Sequence, residues 1–189
     1  MYLIFDTETT GLPKNWRAPI TDLDNWPRVV QLAWISYNEN QEPIAEKNLI
    51  VKPTGFTIPT ESSDIHGITH ERAMDEGILL GDALAEFLAA LSQSKVIAAH
   101  NLDYDQKVMS AEYLRNEEAI PFSGKQLICT KTSSTDYCQL PGKYGFKWPT
   151  LAELHQHLFA EGFDGAHDAL NDVRATGRCF FELKNKNVI

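Results

Sequence analysis

The sequence lacks several features that would place it in a specialised class. It has no apolar run of the roughly 18–20 residues that cross a bilayer, and no basic N-terminal region followed by a long apolar stretch. Cys129, Cys138 and Cys179 form no C-x-x-C pair, which excludes a disulfide framework or a zinc knuckle. Basic residues are few, since 17 Lys+Arg face 26 Asp+Glu for a net charge of −9. That balance excludes a protein that coats a polyanion through a broad basic surface. We therefore expect a cytoplasmic protein without membrane contact.

The length and the apolar patterns predict one layered domain that covers residues 1–189. The apolar run before Asp6 predicts a first, central strand, because it is short and β-prone. The remaining predicted strands are Val29–Tyr37, Ile44–Val51, Val96–Ala99 and Leu127–Cys129. Helical spacing is found in Leu79–Leu91, Val108–Leu114, Leu151–Phe159 and Ala169–Leu183. This order predicts an α/β fold with a mixed sheet and helices packed on its faces.

Two further stretches are harder to assign. Gly11–Arg28 contains three prolines and two tryptophans, and we interpret it as an ordered surface loop. Lys143 and Lys147 lie among Tyr144, Phe146 and Trp148. These lysines could touch a nucleic-acid backbone, but a solvated loop packed by its aromatics is the favoured interpretation. His155 and His157 are expected at the surface of a helix.

The first chemically informative cluster is Asp6-Thr7-Glu8, at the end of the first strand. Residues two apart in a strand project to one face, so the two carboxylates are predicted side by side. Like charges at that distance require a cation. Thr9, Thr10 and Gly11 follow, and a glycine permits close backbone approach by a ligand.

Two later clusters could complete such a site. In the first, Asp103 and Asp105 follow an apolar strand at the start of a helix, and either could contribute a carboxylate while the other caps the helix. In the second, His167 and Asp172 are five residues apart, which corresponds to a rotation of about 500° in an α-helix. The two cannot share a helical face, so His167 is predicted to precede the helix, with Asp168 as the N-cap.

In this order the clusters resemble the DEDDh 3′→5′ exonucleases, an RNase H-like family that includes polymerase proofreading subunits. The resemblance rests on Phe5-Asp6-Thr7-Glu8-Thr9-Thr10-Gly11, His100-Asn101-x-x-Tyr104-Asp105 and His167-x-x-x-x-Asp172. Ile65-His66-Gly67-Ile68-Thr69 is similar to the substrate-side loop of the family. The resemblance to the family covers about residues 2–183, and it implies an RNase H-like mixed five-stranded sheet flanked by helices on both faces. The spacing of the family motif selects Asp105 over Asp103.

The resemblance implies a role for each matching residue. Asp6, Glu8, Asp105 and Asp172 would be catalytic and would ligate two Mg²⁺ or Mn²⁺ ions, and His167 would be the catalytic general base. An all-carboxylate set suits these hard cations. The implied substrate-binding residues are Thr7, Thr10, Gly11, Ile65, His66, Asn101 and Tyr104. Packing in the core is an equal alternative for Ile65 and Tyr104.

The expected function is a metal-dependent exonuclease that releases nucleoside 5′-monophosphates from DNA 3′ ends, with single-stranded DNA as the expected partner. An exoribonuclease that trims short RNA is the first alternative, because no residue is identified that reads a 2′-hydroxyl. A non-catalytic nucleic-acid-binding module on the same fold is the second. The chain ends soon after its last predicted helix, so we expect a free-standing enzyme without a polymerase-binding tail. The oligomeric state is not predicted.

Overall fold

A computed structural model describes residues 1–189 and contains a mixed five-stranded sheet flanked by helices, as the resemblance implied. The spatial order is β3-β2-β1-β4-β5. The strands are β1 (Tyr2–Thr9), β2 (Val29–Tyr37), β3 (Pro43–Ile50), β4 (Val96–Ala99) and β5 (Gln126–Cys129). β1, β2 and β3 form an antiparallel meander, and β4 and β5 join β1 in parallel. β1 is therefore central, with a long antiparallel partner on one side and a short parallel partner on the other.

Eight helices and a small hairpin complete the fold. The helices are α1 (Thr60–His66), α2 (His70–Glu76), α3 (Leu80–Gln93), α4 (Leu102–Arg115), α5 (Thr130–Ser133), α6 (Thr135–Cys138), α7 (Leu151–Phe159) and α8 (Ala169–Asn185). The hairpin pairs β6 (Pro141–Gly142) with β7 (Gly145–Phe146). The four short helices and the hairpin were not predicted, because segments of this length show too little periodicity to be recognised. None of the helices combines the length and apolar character that a membrane crossing requires.

The alternating side chains of β1 divide the core between the two faces of the sheet. Leu3 and Phe5 pack with the helices α3 and α4, whereas Ile4 packs with α8. α8 lies close to the sheet because Gly177 faces Tyr37, and a Cβ atom at this position would lie 2.5 Å from the tyrosine hydroxyl oxygen. A side chain at position 177 would require either the Tyr37 side chain or the helix to move. The close packing fixes where the N-terminus of α8 lies relative to β1.

The Gly11–Arg28 segment is an ordered loop. Asn25 is buried, and its side chain accepts a hydrogen bond from the Asn15 amide at 2.7 Å and donates one to the Asn15 carbonyl at 3.0 Å. Arg115 of α4 donates to the Leu23 carbonyl and to the Trp26 carbonyl at 2.7 Å. These bonds tie the loop to the body of the protein.

Two expectations about surface residues are wrong. His155 is 1% exposed, because its Nδ1 binds the Glu161 carbonyl and its ring packs between Phe159 and Phe163. The aromatic side chains near Lys143 and Lys147 were expected to pack together within a loop, but Tyr144 and Trp148 are 91% and 62% exposed. A two-residue hairpin strand has too little surface to cover them.

Candidate active site

The end of β1 presents two carboxylates on the face of the sheet that α8 covers. Asp6 and Glu8 continue the alternation begun by Ile4, while Thr7 and Thr9 point to the opposite face with Phe5. Both acidic residues are partly buried. The side-by-side arrangement follows from strand geometry.

Asp105 reaches this site from α4 by binding an edge of β1 that has no strand partner. The parallel pairing of β1 with β4 ends at Ile4, so the amide of Thr7 is left without a sheet acceptor on that side. Asp105 Oδ1 accepts a hydrogen bond from this amide at 3.2 Å and another from the Thr7 hydroxyl at 2.8 Å. Asp105 is only 2% exposed, whereas the Asp103 side chain is 72% exposed and binds Lys107 at 2.8 Å. Of the two candidates, the structure brings Asp105 to the cluster and leaves Asp103 in solvent.

The start of α8 brings in the third cluster. Asp168 is the N-cap and accepts a hydrogen bond from the Asn171 amide, so His167 precedes the helix. The His167 backbone has φ 70° and its amide donates to Asp172 Oδ2 at 3.1 Å. Ligand atoms of Glu8, His167 and Asp172 lie within 4.8 Å of one another. The left-handed turn thus brings the imidazole over the carboxylates.

Gln31 of β2, which the sequence analysis missed, anchors the start of α8. It lies opposite Glu8 in the sheet and is 2% exposed. Its amide nitrogen donates to Asp168 Oδ2 at 3.2 Å, and its amide oxygen accepts from the Ala169 amide at 3.1 Å. A glutamine in a strand carries no sequence signal of this kind, because the bond spans 138 residues.

The carboxylates share one electrostatic environment. Burial, and then the charges of Asp105, Asp172 and Glu8, raise the pKa of Asp6 well above its ordinary value. Burial, followed by the charge of Asp172, raises the pKa of Glu8 to about 8. Burial also raises the pKa of Asp105 to about 7 and that of Asp172 to about 6. Because the pKa values of all four carboxyl groups are raised, the fully ionised site is unfavourable unless a positive charge is bound beside it.

The residues present fit a divalent metal centre. They offer oxygen ligands, and Asp172 Oδ1 is buried without a hydrogen-bond partner. A buried oxygen of this kind is costly unless something binds it. Oxygen donors favour hard cations such as Mg²⁺ or Mn²⁺.

Beside the carboxylates lies a cavity of about 270 Å³ that includes five of the predicted substrate-binding residues, Thr7, Gly11, Ile65, His66 and Tyr104. Ile65 is 60% exposed, so the core alternative for this residue is wrong. The Tyr104 hydroxyl donates to the Gly11 carbonyl at 2.7 Å and lies 2.6 Å from Thr9 Oγ1. Ile65 and His66 belong to the last turn of α1, which ends at Gly67 with φ 73°, and not to a loop.

The side chains of three predicted substrate-binding residues, Thr7, Thr10 and Asn101, form hydrogen bonds within the chain. Thr7 lines the cavity, but its hydroxyl binds Asp105. Thr10 does not line the cavity, and its Oγ1 accepts from the Arg28 amide at 3.0 Å, which closes the Gly11–Arg28 loop. Asn101 Oδ1 accepts from Lys131 Nζ at 3.1 Å, outside the cavity. The cavity also includes three residues that the sequence analysis did not select, Thr9, Leu12 and Ser62.

The fold and the carboxylate cluster define a nuclease of the RNase H-like class. The chain belongs to the RNase_T exonuclease family, whose model matches residues 3–180. The family is divalent-metal dependent. The family predicted from the sequence motifs is thereby confirmed.

Individual relatives agree with this assignment. The chain is 29% identical over 184 residues to the uncharacterized exonuclease CP81 of Escherichia phage 186, covering 92% of this chain and 83% of the phage protein. It is 26% identical over 190 residues to DNA polymerase III PolC-type of Lactococcus lactis subsp. lactis (strain IL1403), covering 98% of this chain but 10% of the polymerase. E. coli Exonuclease I in complex with a dT13 oligonucleotide has the same fold, with a TM-score of 0.79 at 20% identity over 98% of this chain and 41% of that chain. The chain thus spans less than half the length of the polymerase and of Exonuclease I.

Proposed function

We propose that this chain is a single-domain, metal-dependent exonuclease that releases nucleoside 5′-monophosphates from the 3′ end of DNA. The observation that carries the proposal is the convergence of Asp6, Glu8, Asp105 and Asp172, whose pKa values are raised by burial and then by the charges of neighbouring carboxylates. A site that disfavours its own ionised state is suited to a cation and, through that cation, to a phosphate.

The four carboxylates would hold two Mg²⁺ or Mn²⁺ ions. Bound ions of this kind lower the pKa of a water molecule and neutralise charge on attacking and leaving oxygens. Asp105 is already oriented by two bonds from Thr7, so it needs no rearrangement to act as a ligand. Asp172 is held by the His167 amide through Oδ2, which leaves Oδ1 for the ion.

His167 would act as the general base. The residue is exposed, so solvent can reach its ring, and the ring lies within reach of Glu8 and Asp172. A neutral imidazole can accept a proton from water as a general base. Asp168 and Gln31 fix the backbone on which it stands.

The cavity beside the carboxylates would bind the 3′-terminal nucleotide. Its walls combine an aromatic ring at Tyr104, an aliphatic side chain at Ile65 and the Gly11 backbone. An aromatic ring can stack on any base, so such a pocket tolerates sequence. Single-stranded DNA is the proposed substrate, and the oligonucleotide complexes of Exonuclease I, a protein of the same fold, support this choice.

The test is nuclease cleavage of one oligonucleotide labelled at its 5′ end or at its 3′ end. With Mg²⁺ or Mn²⁺ we expect the 3′ label to leave first as a nucleoside 5′-monophosphate, and EDTA to stop the reaction. Loss of the 5′ label first would contradict the polarity. Matched DNA and RNA strands decide between deoxyribonuclease and exoribonuclease activity, and binding without cleavage of either strand would indicate a non-catalytic module.

A further inference from the structure

Two exposed tryptophans face a second cleft next to the candidate active site. Trp16 is 48% exposed and Trp148 is 62% exposed, although buried tryptophans are the rule. Together with Lys131 they line a cavity of about 460 Å³, a size in the range of ligand-binding pockets. Large aromatic faces in solvent at a cavity indicate a ligand with flat, apolar surfaces.

The cleft contains a lysine whose charge no carboxylate neutralises. Lys131 forms no ion pair, and its Nζ donates to Asn101 Oδ1 at 3.1 Å and lies 5.3 Å from the centre of the Trp148 ring. The acidic residue at the cleft, Asp103, is paired with Lys107 at 2.8 Å. In a chain with a net charge of −9, this local excess of positive charge selects an anion.

The Trp148 side of the cleft is anchored and does not depend on a free loop. The adjacent Pro149 carbonyl accepts a hydrogen bond from His100 Nε2 at 3.1 Å, and His100 Nδ1 lies 3.0 Å from the Thr130 hydroxyl oxygen. Burial lowers the pKa of His100 to about 4, so its imidazole is neutral near neutral pH and Nε2 donates to the carbonyl. Trp148 is therefore preorganised while its ring stays in solvent.

The cleft lies next to the cavity that would bind the terminal nucleotide. The Trp16 ring lies 5.7 Å from the Tyr104 ring, centre to centre, and Tyr104 lines that cavity. Asn101, which lines the cleft, begins the helix that carries Tyr104. A strand whose 3′ end lies beside Tyr104 can extend past Trp16 into the cleft.

We propose that the cleft between Trp16 and Trp148 binds the nucleotides immediately 5′ of the terminal one, with bases on the tryptophan rings and a phosphate on Lys131. The inference rests on the proposed function, because it assumes that a nucleic-acid 3′ end enters the neighbouring cavity. It assigns a substrate grip to residues outside the carboxylate cluster, and it predicts that longer single strands bind better than dinucleotides.

The test is binding of a 5′-fluorescein dT12 strand to the full chain, measured by fluorescence anisotropy in EDTA so that no cleavage occurs. Trp148→Ala should weaken binding by about tenfold or more, the usual effect of losing one stacked base. Trp148→Phe should keep affinity within about threefold, because a phenyl ring still stacks. Lys131→Ala should reduce the slope of log affinity against log salt by about 0.7, the value for one phosphate contact on a single strand.

The matched controls lie on β3, at the opposite edge of the sheet. Ile44→Ala and Lys47→Ala remove an exposed apolar side chain and a lysine there, and both should bind dT12 as the unmodified chain does. Equal affinity of Trp148→Ala and the unmodified chain would overturn the inference. Equal competition by a poly-glutamate peptide of the same charge would also overturn it, because the cleft would then be a plain anion site.

Failure of the proposed function gives a different result. If dT2 and dT12 both remain uncleaved in Mg²⁺ while Trp148→Ala still weakens binding, nucleotide binding by the cleft is supported and the exonuclease proposal is refuted. If both strands are cleaved but the Trp148 variants bind dT12 as the unmodified chain does, the exonuclease proposal is supported and nucleotide binding by the cleft is refuted.

Discussion

Replacing Asp172 by asparagine should stabilise the metal-free protein. Asparagine keeps an oxygen that can accept the hydrogen bond from the His167 amide, but it removes one charge from the carboxylate cluster. The pKa of Asp172 rises from 3.8 to about 6, mainly because the group is buried. A difference of this size corresponds to about 3 kcal/mol of unfolding free energy at a pH above both values.

The sign of the effect follows from where the proton is bound. Below about pH 4 the carboxyl is protonated in both the folded and the unfolded chain, so the substitution should change little. Between about pH 4 and pH 6 the unfolded chain releases the proton and the folded chain retains it, so the stability of the unmodified protein falls as pH rises. Above about pH 6 the carboxyl is ionised in the folded chain as well, and the full loss of unfolding free energy is present. At pH 8, Asp172→Asn should therefore unfold up to about 6–12 °C higher than the unmodified chain.

The assay is thermal unfolding in EDTA at pH 3.5, 6 and 8, repeated at pH 8 with Mg²⁺. The ion should raise the melting temperature of the unmodified chain and raise that of Asp172→Asn less. Asp103→Asn is the matched control, because Asp103 is an exposed carboxylate outside the cluster. A variant that melts at or below the unmodified temperature at pH 8 in EDTA would refute the electrostatic reasoning.

Three further predictions concern single residues. Asp105→Asn should abolish nucleotide release in a metal-dependent cleavage assay while Asp103→Asn retains it, and the reverse order would show that the wrong carboxylate has been chosen. His167→Ala should lower the rate by about 10²–10⁴, the usual contribution of a positioned base, and an unchanged single-turnover rate would exclude that role. Glu112→Ala should cost about 3 kcal/mol in urea unfolding, because the buried Glu112 accepts from the Arg28 guanidinium and the Val29 amide, both at 2.9 Å. A loss below about 1 kcal/mol would show that the ion pair is not important for stability.

Much of the sheet could be predicted because its strands have strong local signals. β2 and β4 were predicted at their observed bounds, since each is a β-prone apolar run between polar segments. The pairing of Asp6 with Glu8 on one face needed only the two-residue period of a strand. The local sequence pattern was sufficient for features that depend on a single strand.

The parts that failed depend on contacts between distant segments. Spacing could not choose Asp105 over Asp103, because the choice depends on β4 being short enough to leave the Thr7 amide free. His155 was expected in solvent, and its burial depends on Phe163 and the Glu161 carbonyl beyond the end of α7. Contacts of this kind depend on the folded arrangement of the chain, so a local sequence pattern does not predict them.

The position of α8 in the chain has a consequence for protein synthesis. α8 follows all five strands in chain order, and it covers the β-sheet face on which Ile4 and Ala33 lie. The same helix contains Asp172, and the turn before it contains His167. During synthesis from the N-terminus that face is therefore uncovered until α8 has been made, and Asp172 and His167 join the other carboxylates only with the helix that closes the face. Closure of this sheet face and completion of the carboxylate cluster are thus coupled in one folding step.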